Sequence, residues 1–136
     1  MGEVALASGP LCGAALFVAL AGGRLPRAWV PAPRRAFVLR WLGLGGRAAL
    51  EELVWRGLVL GALALAVGPI WALLLSAAAF AAWHAPGLGG RSAVHVVTGL
   101  GFGLSYLVGG VAAAVLAHCI YNVLVDWAVH APRPGS

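Results

Sequence analysis

Lysine is absent from this chain of 136 residues, so nine arginines carry all the fixed positive charge against four acidic side chains. Charged residues amount to only 10% and hydrophobic residues to 62%, with a mean hydropathy of +0.94. So little polar surface cannot cover a soluble globule of this size. The net charge of +5 and pI near 10.7 raise the question of nucleic acid. The arginines form no basic face interleaved with aromatics, so lipid head groups are the expected anionic neighbours and no nucleic acid is expected. Cysteine is scarce as well. Cys12 and Cys119 stand in apolar stretches without CxxC spacing, which argues against a disulfide framework or metal knuckle and for two inert thiols. Internal repeats, low-complexity tracts and a second-domain boundary are also missing. Arg, Ala and Gly in place of lysine fit a GC-rich bacterial genome, and hence a bacterial inner membrane.

What is present is a set of five apolar segments, residues 4–22, 48–67, 69–84, 92–108 and 111–130. A spanning helix takes about 20 apolar residues and about 17 at the least, so the third and fourth segments are short and suit a thinned or protein-shielded zone. The expected fold is all-α, a polytopic transmembrane helix bundle of about five spanning helices with a four-helix catalytic core. Its parts are an N-terminal transmembrane helix (1–23), an Arg-rich cytoplasmic linker or interfacial segment (24–47), the core (48–130) and a tail (131–136). In the first segment the leading charge is Glu3 and the arginines follow the apolar run, the reverse of a signal peptide's basic start. An uncleaved anchor with its N-terminus outside is expected.

Arginine placement orients the bundle. Arg24, Arg27, Arg34, Arg35, Arg40 and Arg47 fall in the first connection, Arg91 in the third and Arg133 in the tail, whereas Gly68 and the Gly109-Gly110 turn carry no charge. Odd-numbered connections and the tail are therefore expected in the cytoplasm. Pro31 and Pro33 make part of the first connection irregular, while residues 36–44 mix Phe37, Leu39, Trp41 and Leu42 with Arg40, which suits either an interfacial helix or a solvated basic loop. Trp29, Trp41, Trp71, Trp127 and Tyr106 lie near segment boundaries, as an aromatic belt does. Gly57 with Gly61 and Gly99 with Gly103 have the GxxxG spacing, read here as packing within the monomer ahead of dimerisation.

The few polar residues inside the segments carry the functional information, because an ionisable group at bilayer depth costs about 2.5 to 3.5 kcal/mol on insertion scales. Glu52 and Arg56 are four apart and share a helix face, with the acid N-terminal to the base. Glu51 is turned about 100° away and has no such partner. Glu52 is therefore expected to stay ionised on Arg56, leaving Glu51 as the general base; a purely structural ion-pair cluster is the alternative. His84 follows Phe80 by one turn, on the same predicted membrane side as Glu51. Alone it reads as a capping or interfacial histidine, and its level beside Glu51 makes it a site residue. His118 and Asn122, again four apart, can donate hydrogen bonds in one direction, either to an oxyanion or as glue between helices. Asp126 extends this stripe and is assigned to the head-group layer ahead of orienting Asn122. His95 reads as interfacial and Tyr121 as packing, while Trp55 and Trp83 adjoin the polar motifs and suit site walls.

The three motifs EExxxR (Glu51, Glu52, Arg56), FxxxH (Phe80, His84) and HxxxN (His118, Asn122), each on its own apolar helix, resemble the CPBP family of intramembrane proteases. That family includes the CAAX prenyl endopeptidases and the bacteriocin-processing, Abi-type proteins. The string EELVWRG from Glu51 to Gly57 is especially similar to the family's first motif, and the likeness covers residue 48 to about residue 126. The resemblance implies an intramembrane endopeptidase in which Glu51 activates the attacking water, His84 holds and polarises it, His118 and Asn122 form the oxyanion site, and Glu52 and Arg56 support the geometry. It also implies a membrane-anchored peptide substrate: a prenylated CAAX tail, a bacteriocin leader or a membrane-sorting tail. No cofactor is expected. Zinc on Glu51, His84 and His118 is the second choice, because no HExxH helix is present and Glu51 would be consumed as a ligand. Family members are usually longer, so a partner protein replacing missing helices is an expectation. The rival from another class is a non-catalytic binding or immunity protein on the same scaffold. A small proton or solute transporter also accounts for buried Glu and His, but lacks an inverted repeat or broken-helix pair.

Overall fold

The computed structural model describes residues 3–20 and 35–130, and every one of these except Gly68 is helical. Expectations resting on Arg24, Arg27, Trp29, Pro31, Pro33, Arg34 and Arg133 lie outside the described residues. Helix α1 spans Glu3–Leu20 and α2 spans Arg35–Glu52; a π-helical stretch, Leu53–Leu60, then leads into α3, Gly61–Val67. Helix α4 spans Pro69–Leu88, a 3-10 turn covers Gly89–Ser92, and α5 spans Ala93–His130 with a break at Gly110 that divides it into limbs 93–109 and 111–130. The helix holding Glu51 thus begins at Arg35, not at residue 48, and residues 36–44 are helix rather than loop.

The breaks have local causes. Gly68 (φ 82°) and Gly110 (φ 72°) occupy the left-handed region that side chains disfavour. After Gly68, Pro69 takes the first helical position, where its missing N–H costs nothing, and the Ala72 N–H donates to the Gly68 carbonyl at 3.0 Å.

Close approaches give the helix directions. Gly99 and Gly103 of the first α5 limb face Ala77 and Leu73 of α4, so that limb runs antiparallel to α4; Arg56 reaches the Gly99 carbonyl, Leu60 lies at Gly103 and Gly61 at Tyr106, so it runs parallel to the π-α3 segment. The second limb runs antiparallel to α2, with Asp126 on Arg40, Cys119 on the Gly45 carbonyl and His118 on Glu52. Helix α1 runs parallel to that second limb: a methyl group at Gly9 or Gly13 would strike the carbonyl oxygens of Ala113 and Ala117. Gly99-Gly103 therefore packs helices within the monomer, while Gly57 faces open space. The pair that brings α1 in, Gly9 and Gly13, has the same spacing and escaped the reading of the sequence.

Burial departs from the pattern of a water-soluble protein. Leu65 is 91% exposed and Trp83 is 72% exposed, whereas Glu52, Arg56, Ser76, Thr98, Ser105, His118 and Asp126 are buried. Two helices are long and apolar enough to cross a membrane, Pro69–Gly87 and Ala93–Val129, and Val4–Leu20 is a shorter apolar helix. An apolar exterior, with the polar groups gathered inside among apolar residues, is the arrangement that lipid favours.

The α1 contact yields a contrast between glycines. Gly13→Leu is expected to lower the thermal midpoint in detergent by overpacking worth about 1–3 kcal/mol. Gly43→Ala, in α2 with nothing within 4 Å, is expected to leave it unchanged or raise it, since Ala exceeds Gly in helix propensity by about 0.8–1 kcal/mol. Equal midpoints for the two variants would rule out close α1 packing.

Candidate active site

The last turn of α2 supplies Glu51 and Glu52, and the π-helical stretch supplies Arg56, whose carbonyl accepts the Gly61 N–H five residues on. Such wide turns are rare and recur at functional sites. Glu52 and Arg56 are 0% and 1% exposed. Nη1 of Arg56 donates to Glu52 Oε1 at 3.2 Å, and Nη2 donates to the Gly99 carbonyl at 3.0 Å. Nε lies 3.2 Å from Glu52 Oε2 but is not aligned for a hydrogen bond, so this side of the pair is held by charge alone. Phe80 and Phe102 cover the guanidinium at 4.6 and 5.5 Å from their ring centres, a cation–π sandwich.

Glu52 also binds His118. The Nδ1–H of His118 donates to Glu52 Oε1 at 2.8 Å, since an ionised carboxylate only accepts. The ring lies flat on Phe102, 4.5 Å between centres and 18° between planes, with its Nε2 4.0 Å from Glu51 Oε2. Glu51 differs from its neighbour. Its side chain is 34% exposed, makes no hydrogen bond to the described residues, and lines an open groove of about 280 Å³ with Leu44, Arg47, Asn122, Val125, Asp126 and Val129. The Asn122 amide has no hydrogen bond to the described residues either, so it is free to donate into that groove.

His84 stands apart from this group. Its Nδ1 is 2.8 Å from the Phe80 carbonyl and its ring meets the Phe80 ring at 4.6 Å; Phe80 in turn lies edge-on to His118 at 6.5 Å. The structure thus joins Glu51, Glu52, Arg56 and His118 directly, sets Asn122 beside Glu51 in the groove, and connects His84 to them through Phe80. Among the described residues, no three His, Cys, Asp or Glu side chains are gathered closely enough to hold a metal ion.

Three neighbours have partners or exposure that the sequence reading did not give. Asp126 is 8% exposed, paired with Arg40 and accepting a hydrogen bond from Trp41 Nε1 at 3.3 Å. Trp41 accordingly serves that pair as well as any belt. His95 is half-buried, its ring stacked on His84 at 4.1 Å; an ionisable residue within an apolar helix was the one signal available for it. Of the two tryptophans, Trp55 walls the site against Phe80 at 5.7 Å, whereas Trp83 faces outward. Tyr121 packs on the Leu16, Phe102 and Ala117 cluster, as a packing residue should.

Residues 33–124 match the family described as type II CAAX prenyl endopeptidase Rce1-like. The chain belongs to this family. It is a family of peptide hydrolases, and with the apolar helices it points to a membrane protein with CAAX-type intramembrane protease activity and a membrane-associated peptide substrate. The matched span includes Glu51, Glu52, Arg56, Phe80, His84, His118 and Asn122. No curated protein and no solved structure matches the chain significantly.

The buried pair makes a stability prediction for this endopeptidase relative. Arg56→Met leaves Glu52 charged and without its cation, and is expected to cost about 3–5 kcal/mol. Adding Glu52→Gln removes the orphan charge while its amide oxygen still accepts from His118, so the double variant should be the more stable of the two. Thermal unfolding in detergent micelles measures both. A double variant no more stable than the single one would show that the pair is not a coupled unit.

Proposed function

We propose that this chain is an intramembrane endopeptidase that cuts a peptide bond near the C-terminus or leader of a membrane-associated substrate, using water activated by Glu51. The observation that carries this reading is the unequal fate of two adjacent carboxylates. Glu52 is buried and held by Arg56 and His118, whereas Glu51 is open to a groove and makes no hydrogen bond to the described residues. A general base must be reachable by water and free to take a proton. Only Glu51 meets both conditions.

The steps follow from the donors nearby. Glu51 removes a proton from water as the oxygen attacks the scissile carbonyl carbon. The Asn122 amide and the His118 Nε2 then stabilise the oxyanion; His118 donates there only as imidazolium, with Glu52 on its other nitrogen. Collapse of the intermediate breaks the C–N bond, and Glu51 returns its proton to the leaving amine. His84, through Nε2, holds the water. Glu51 and Glu52 against Arg56 and protonated His118 give a cluster of zero net charge, which suits a water-poor interior. A metal-free route fits these residues better than zinc on Glu51, His84 and His118, because Phe80 stands between the two imidazoles and a ligated Glu51 would no longer be free to act as the base.

In the membrane, the five helical stretches cross as a bundle with the core at residues 48–130. The antiparallel order of the helices and the arginine distribution support an N-terminus outside and a site toward the cytoplasmic side of a bacterial inner membrane. The substrate segment enters along the groove between α2 and the second α5 limb, and a partner protein supplies further gripping surface.

Two variants test the mechanism at equal expression. Glu51→Gln is expected to reduce cleavage by about 10²–10⁴-fold and Asn122→Ala by about 10²–10³-fold, both with little change in thermal midpoint. Mass spectrometry of membrane-protein termini, from cells with the active chain and with Glu51→Gln, reads the outcome and identifies the cut bond. Processing that survives both Glu51→Gln and His118→Ala would leave a non-catalytic binding or immunity role in its place.

A further inference from the structure

His95 belongs to none of the three motifs, yet its ring lies on that of His84 with centres 4.1 Å apart and planes 16° apart. Both rings meet the edge or face of Phe80, at 4.6 Å for His84 and 5.6 Å for His95. The hydrogen bonding fixes which nitrogen of His84 is available. A backbone carbonyl only accepts, so the Nδ1 held 2.8 Å from the Phe80 oxygen carries the hydrogen. Nε2 then bears the lone pair and makes no hydrogen bond to the described residues.

This hydrogen bond alone does not hold an imidazole in plane. His84 sits next to Pro86 and the turn at Gly89–Ser92, near the end of α4, where a ring on one hinge can rotate and exchange its two nitrogens. The other site histidine shows what a fixed ring looks like here. His118 has Nδ1 on an acceptor, the Glu52 carboxylate, and its face against a flat partner, Phe102 at 4.5 Å and 18°. His84 has the same two supports, the Phe80 carbonyl and His95. The His95 ring itself makes no hydrogen bond to the described residues, so its contribution is its face.

We propose that His95 is a positioning residue for His84: the stacked ring keeps Nδ1–H on the Phe80 carbonyl and leaves Nε2 bare for the hydrolytic water. The inference rests on the reading of His84 given above for its purpose, but its structural content is independent of proteolysis. The ionisable groups around the pair are Glu51 of α2 and His118 of α5, with Arg56 behind Phe80. Any measurement of the ring state is therefore made where the imidazoles are neutral.

The test uses the full chain with ¹⁵N-labelled histidine in lipid nanodiscs, which is tractable because only four histidines are present. Spectra are recorded about two pH units above the ordinary imidazole value of about 6.5. The wild type and His95→Phe, which keeps a flat ring, are expected to show His84 as a single Nδ1–H tautomer with two well-separated nitrogen shifts. His95→Leu, which fills the space without a flat face, is expected to bring the two His84 shifts toward each other as the tautomers exchange. Unchanged His84 shifts in His95→Leu would overturn the proposal. So would collapse of the shifts in His95→Phe with the helical content intact. Should His95→Leu behave as expected while His84→Ala still cleaves substrate, the positioning role would stand and the catalytic assignment of His84 would fall.

Discussion

The buried Glu52–Arg56 pair is the constraint around which the helices are arranged. Two charges removed from water in a lipid-facing chain are tolerable only when they pair closely with each other and gain further polar partners. Arg56 therefore draws in the Gly99 carbonyl and is roofed by Phe80 and Phe102, while Glu52 draws in His118. These contacts come from α4 and from both limbs of α5. One ion pair thus ties the helix carrying the catalytic candidates to each helix that supplies another. Gly99 has to be small for this to work, since its neighbour across the interface is the Ala77 backbone. The close packing of α4 on α5 and the satisfaction of the arginine are the same requirement.

That constraint also separates the roles of the two glutamates. A carboxylate locked into a network of charge and hydrogen bonds is poorly suited to give and take a proton, because each transfer would unbalance the buried cluster. Its neighbour along the chain, turned by one residue, escapes the network and faces the groove. Adjacent placement on a helix gives the site a fixed anion and a free one within a single turn. His118 stands between them, with one nitrogen on Glu52 and the other 4.0 Å from Glu51, so whatever orients Glu52 also fixes the ring next to Glu51.

Much of this was legible in the sequence because it is local. Glu52 with Arg56, Phe80 with His84 and His118 with Asn122 are each one turn apart, and helical spacing alone puts each pair on a face. The breaks at Gly68 and Gly110 were legible for a similar reason, since an uncharged glycine between two apolar runs has few other uses. What could not be read depended on distance along the chain. The pairing of Asp126 could not be read because its partner Arg40 lies on another helix. The stacking of His95 on His84 could not be read because it is a property of how α5 meets α4. The π-helical turn has no mark in LVWRGLVL, which is apolar apart from Arg56 and would suit an ordinary helix equally well. Gly9 and Gly13 had the spacing in plain view, but with 20 glycines in the chain, spacing alone did not single them out.

The aromatic residues complete the physical argument. In a site with few hydrogen-bond donors to spare, a ring cannot be fixed by polar contacts at every edge without adding more buried polar atoms, each needing its own partner. Flat faces fix orientation at no such cost. Phe102 does this for His118, and Phe80 is shared between Arg56, His84 and His95, so a single apolar side chain touches the guanidinium and both stacked rings and separates them from His118. A phenylalanine one turn before a histidine is therefore more than a spacer on an apolar helix. Its carbonyl accepts from the histidine, its ring lies against both stacked imidazoles, and its face offsets part of the cost of burying the arginine, which explains why one residue can bind the polar groups of three helices into a single unit.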